Sequence, residues 1–108
     1  MIKKQYVKSR KVSKATFIIP KSELPDDIEV KDIFLVGDFN EWDPSRHPMK
    51  RNSKGEYRVT IDLRPGREYK FRYMINGKHW YNDWNADAYL PNEFGMDNCV
   101  LITPPVTD

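Results

Sequence analysis

The sequence predicts an all-β fold, an antiparallel sandwich of short strands, on three observations. Residues 56–63 alternate without a break, Glu56, Arg58, Thr60 and Asp62 against Tyr57, Val59, Ile61 and Leu63, the period of two of a strand with one buried face. Residues 69–75 repeat the pattern with Tyr69, Phe71, Tyr73 and Ile75. Asn76-Gly77 follows, the dipeptide favoured in type I′ hairpin turns because both positions take positive φ. No segment holds an apolar stripe of helical period over ten residues. Short strands at regular spacing with turn residues between them indicate a sandwich.

The elements follow in order. Residues 1–13 form a basic N-terminal arm: Lys3, Lys4, Lys8, Arg10 and Lys11 precede any acid, and the first acid is Glu23. It is expected to be a solvated leader, with an anionic partner as the alternative. Lys14–Ile19 is apolar and β-branched, and Pro20 stops it; Ser22–Lys31 mixes acids with Pro25 and reads as a loop. Asp32–Gly37 is a strand whose near-continuous apolar run suggests burial. Residues 38–45 and Asn52–Gly55 are turns, because Asn and Asp bond their own backbone and Pro44 cannot continue a ladder. After the Asn76-Gly77 turn, residues 78–81 return as a short strand. Cys99–Ile102 is the last strand, ended by Pro104-Pro105. The sandwich domain is therefore expected over 14–103, with a C-terminal tail over 104–108.

Composition narrows the function. At 108 residues the chain has room for one modest core, and 13% aromatic content argues against disorder. The longest apolar run, Ile33-Phe34-Leu35-Val36, is strand-sized, so no membrane helix is expected. The N-terminus lacks the apolar region of a secretory signal, which sets the expected location as cytoplasmic. A single cysteine, Cys99, excludes an intrachain disulfide framework. His47, His79 and Cys99 are too few and too scattered for zinc, and no phosphate-binding loop or nucleophile motif occurs, so neither metal nor cofactor is expected. Asp83, Asp87, Glu93 and Asp97 lie close in sequence, but a catalytic carboxylate pair needs a cleft that so small a domain hardly supplies. No enzyme activity is expected. The net charge of +2, of which the first 21 residues hold +7, leaves an acidic body and speaks against nucleic acid.

The aromatics supply the positive signal. If the Tyr69 face is core, Lys70, Arg72 and Met74 form an outward stripe beside the hairpin that carries Trp80. Trp42, Trp80, Tyr81, Trp84, Tyr89 and Phe94 sit in loops or short strands next to Asn or Asp and cannot all be core. Aromatics grouped with amide and amine donors suit a sugar, whose C–H face stacks on an indole while its hydroxyls pair with polar side chains.

The run Phe34-Leu35-Val36-Gly37-Asp38-Phe39-Asn40-Glu41-Trp42-Asp43-Pro44 closely resembles the signature of the family-48 carbohydrate-binding modules. These include the glycogen-binding domain of the AMP-activated protein kinase beta subunit and the early set domains that precede isoamylases and branching enzymes. The resemblance continues through Pro65–Tyr73 and Asn76-Gly77, through Trp80-Tyr81-Asn82-Asp83, and through Asn92–Asn98. It implies an immunoglobulin-like (early set) sandwich that binds α-1,4-linked glucan such as glycogen or a maltooligosaccharide, without catalysis. By the same resemblance Trp42 and Trp80 are stacking residues, Lys70 and Asn98 bond hydroxyls, and Phe94 lies against the glucan. An extra residue after Gly77 leaves His79 competing with Trp80 for the second stacking position. Met96 stands where related modules can carry a hydroxyl.

Each residue also has a plainer role open to it. Trp42 can cap the end of the sandwich, Trp80 can cover an edge strand, Lys70 can discourage edge pairing and Asn98 can serve turn geometry. Trp84 fits either a third platform or an interface anchor. The alternative function is a protein-interaction or regulatory module that docks on a glycogen-metabolising enzyme, such as one of glycoside hydrolase family 13, or on a kinase-type partner.

Overall fold

The structure, a computed structural model, describes residues 1–106. Its ten strands are β1 (Ile2–Val7), β2 (Val12–Ile19), β3 (Ile33–Gly37), β4 (His47–Pro48), β5 (Lys50–Arg51), β6 (Tyr57–Leu63), β7 (Glu68–Ile75), β8 (His79–Tyr81), β9 (Ala88–Pro91) and β10 (Asp97–Ile102). Two antiparallel sheets form a sandwich consistent with the early set, immunoglobulin-like fold. One sheet runs β1-β2-β6-β5; the other runs β4-β3-β7-β10-β9, with β8 pairing the far half of β7. The only helical pieces among the described residues are single 3-10 turns at Lys21–Glu23 and Asp38–Asn40.

The predicted alternation places the core. Phe17 of β2 meets Phe71 of β7 edge to face at 5.1 Å, joining the two sheets, and Tyr73 adds a third ring at 5.8 Å from Phe71. Ala15, Ile33, Leu35, Ile75, Cys99 and Leu101 complete a fully buried set around them. Each large apolar side chain buried in this way contributes about 1.5–3 kcal/mol relative to exposure. The largest polar group in the core is paired: the Tyr73 hydroxyl donates to Asp83 Oδ2 at 2.7 Å, and burial pushes its pKa up.

Residues 1–13 differ from the expected leader. Residues Ile2–Val7 are β1, paired in register with β2 from Ile2↔Phe17 to Val7↔Val12. Ile2 packs against the core and the Lys4 ammonium reaches Asp87 Oδ2 at 2.6 Å. Lys4 lies on the half-buried side with Ile2 and Tyr6, so a charged residue interrupts the apolar alternation that would have marked the strand. The turn that returns the chain is equally silent, since its left-handed position is Lys11 (φ 52°) rather than Gly or Asn. The short edge strands β4, β5 and β9, two to four residues long, are too brief to show an alternation in the sequence. Of the tail over 104–108, Thr107 and Asp108 lie outside the described residues.

Candidate functional site

The outward face of the second sheet carries the site. Register sets its rows: Val36 beside Arg72, Met74 between Phe34 and Trp80, Val100 between Lys70 and Ala88, and Asn98 beside Leu90. Of the expected outward stripe, only Lys70 is exposed. Arg72 and Met74 also turn away from the core, yet both are buried, because the outer face is itself covered. Three irregular segments frame the groove there.

The first segment follows β3. Asn40, almost wholly buried, is its hub: Oδ1 accepts from the Gly37 N–H at 3.0 Å, and Nδ2 donates to the Leu35 carbonyl at 2.9 Å and to His47 Nδ1 at 2.8 Å. Gly37 is required by close approach, since a Cβ there would sit 2.5 Å from the Lys70 carbonyl oxygen and 2.8 Å from Phe71 Cβ. Glu41 and Trp42 then both adopt left-handed backbone (φ 57° and 59°), at about 1–2 kcal/mol each for non-glycine residues. The Trp42 N–H closes the turn on the Gly37 carbonyl at 2.9 Å. Its indole Nε1–H donates to Asp38 Oδ1 at 2.9 Å, while Asp38 Oδ2 accepts from the Lys70 N–H at 2.8 Å. Asp38 thereby ties the Trp42 ring to β7.

The second segment is the β7–β8 hairpin. Asn76 and Gly77 take the positive φ values that their type predicts (54° and 72°), and Asn76 is held by the backbone of Glu29, Lys31 and Asp32. The hairpin sets Trp80, 41% exposed, on the groove side. The Trp42 and Trp80 rings lie 6.4 Å apart at 65°, so they meet as a corner rather than as one flat platform. The Arg72 guanidinium lies 5.5 Å from the Trp80 ring centroid, a cation–π distance.

The third segment is the turn between β9 and β10. Asn92 Oδ1 accepts from the N–H groups of Phe94 (2.9 Å) and Met96 (3.1 Å), and Gly95 supplies the left-handed residue (φ 77°). Phe94 is thereby raised to the rim, 80% exposed. Asn98 Oδ1 accepts from Asn92 Nδ2 at 3.3 Å, which leaves the Asn98 amide NH2 as its donor side.

The structure thus brings Trp42, Lys70, Trp80, Phe94 and Asn98 to one open groove of about 550 Å³. His79 does not line it. Six further residues contribute that the sequence does not assign to the site: Arg72 in the floor, Asp38 behind Trp42, and Leu90, Pro91, Asn92 and Glu93 along the third segment. Leu90 belongs to a strand too short to announce itself. Arg72 was visible only as an outward charge, and nothing local marks it as buried. Trp84, 61% exposed, stands apart from the groove with its Nε1–H on the Tyr81 hydroxyl.

Residues 29–90 match carbohydrate-binding module 48, the isoamylase N-terminal domain. The chain belongs to this family. Its ligand class is accordingly carbohydrate, and a module of this kind binds without catalysing. Over 77 residues, 68% of its length, the chain is 36% identical to a 1,4-alpha-glucan branching enzyme of Novosphingobium aromaticivorans, of which it covers 10%. It is 37% identical over 65 residues to the branching enzyme of Thiobacillus denitrificans (57% of the chain, 8% of the relative). A branching enzyme of Xanthomonas axonopodis pv. citri is 43% identical over 49 residues (44% and 6%). The chain thus spans no more than about a tenth of the length of these relatives. Among the described residues no helix is long and apolar enough to cross a membrane.

Proposed function

We propose that this module binds α-1,4-linked glucan, of the glycogen or starch type, in the groove on the outer face of the second sheet. Trp42 and Trp80 stack on successive glucose units, Phe94 closes the rim, and Lys70 and Asn98 donate to hydroxyls. The observation that carries this reading is convergence: the five residues that the family resemblance assigns to sugar contacts, spread over 57 positions from Trp42 to Asn98, line a single groove. The angle between the indoles favours a curved α-linked chain over a flat β-linked one, because consecutive units must present their C–H faces to planes 65° apart. An open groove leaves much of each sugar hydrated, so the affinity is expected on the order of micromolar to millimolar.

Titration with maltoheptaose, followed by tryptophan fluorescence and amide NMR shifts, tests this directly, with cellohexaose as the β-linked control. A saturable response to the first and none to the second is expected. Trp42→Ala should abolish the response while the protein stays folded. No response at millimolar maltoheptaose overturns the reading. Trp84, exposed and outside the groove, favours a second role in which that edge docks on a protein partner, such as a glycoside hydrolase family 13 catalytic domain.

A further inference from the structure

Resting on the glucan reading, we propose that Arg72 is itself a ligand-contacting residue of the groove. From the groove floor its guanidinium donates to a pair of adjacent glucose hydroxyls while it lies over the Trp80 ring, 5.5 Å from the centroid. A guanidinium has five N–H donors in a fixed fork. Here Nε–H is taken by Asn82 Oδ1 at 2.7 Å, and Nη1 makes only a long contact of 3.8 Å with the Met96 sulfur. No carboxylate among the described residues forms an ion pair with it.

The donors that remain are not sealed away. The one fully buried polar side-chain atom left without a partner among the described residues is Ser13 Oγ, far from this site in sequence and on the other sheet. Arg72 is only 6% exposed, and the open space it meets is the groove it lines. Its free N–H groups therefore face whatever fills that groove. Burial without a counter-ion disfavours the charge and pushes its pKa down, so hydroxyl oxygens brought by a ligand offset a cost already present in the empty site.

The surroundings fix the fork rather than merely tolerating it. Asn82, whose amide also donates to the Asp97 carbonyl at 3.0 Å, orients Nε, and the Trp80 face limits rotation of the plane. An α-1,4-linked glucose keeps its C2 and C3 hydroxyls free. Their neighbouring oxygens match a forked donor in a way that a single ammonium does not.

Nitrogen-15 NMR of the arginine side chains, recorded with the indole N–H signals during a maltoheptaose titration, tests this on the unaltered protein. Arg72 signals should shift with the same saturation curve as those of Trp80. Arg72→Met, which keeps the bulk and removes the donors, should weaken binding about tenfold or more, and Arg72→Lys should recover only part of the loss. If the indole signals move while Arg72 stays silent and Arg72→Met binds as well as the parent, Arg72 is packing for Trp80 and the proposal is overturned. If neither set moves, the glucan reading itself fails and takes this one with it.

Discussion

Replacing Asn40 by Ala should lower stability by about 2–3 kcal/mol and dismantle the groove, although Asn40 lines none of it. The substitution orphans the buried Gly37 N–H, removes one of the two bonds on the buried Leu35 carbonyl, which keeps its ladder pairing with His47, and takes the partner from His47 Nδ1. His47 is half-buried and can turn to water, so only the two backbone groups are counted, at about 1–1.5 kcal/mol each. At about 2.1 cal/mol/K per residue, 108 residues give an unfolding entropy near 0.23 kcal/mol/K, so the loss corresponds to a fall in Tm of about 9–13 °C. Circular dichroism melting curves measure it. Maltoheptaose titration of the folded variant at low temperature reads the second consequence, because Trp42 follows this hub after one residue, Glu41, and both are left-handed. A Tm drop under about 3 °C with unchanged glucan binding would refute the view that Asn40 holds the loop.

Further outcomes follow from the same geometry. Gly37→Ala drives a methyl into the Lys70 carbonyl and Phe71 and should cost about 1–3 kcal/mol in thermal melts, with β3 and β7 forced apart beneath Trp42 and Lys70. Phe94→Ala should weaken glucan binding with Tm nearly unchanged, because the ring is at the rim. Trp84→Ala should leave glucan binding as it is, and a loss there in calorimetric titration would extend the site beyond the groove. Burial raises the Cys99 thiol from 9.0 to about 11. The folded state then holds a proton that the unfolded state releases, so the stability linked to this thiol is full below pH 9 and declines as pH rises through 11. Equilibrium urea unfolding at pH 8 and pH 10 should show the drop, and Cys99→Ala should reduce it; thiol-reagent labelling at pH 8 should require unfolding.

The long strands were legible because each turns one apolar face to the core and therefore carries a written alternation; β6 shows it end to end. In β7 the alternation predicts which way each side chain points but not that Arg72 and Met74 are buried, because the cover over the outer face comes from Trp80 and loops distant in sequence. β1 was illegible for a related reason. Lys4 occupies a half-buried position that only a pairing with Asp87, 83 residues away, makes acceptable.

For the site, residue chemistry and a family resemblance pointed to Trp42, Lys70, Trp80, Phe94 and Asn98, since stacking and hydroxyl bonding demand particular side-chain types. That Asp38 clamps Trp42, that the two indoles meet at 65°, and that a cation lies under one of them appear in no local pattern. Side-chain type and strand period are properties of neighbouring positions along the chain, and the amino-acid sequence determined them by itself. The shape of the groove and the burial of Arg72 depend on which distant segments lie against each other, and only the tertiary structure decided that.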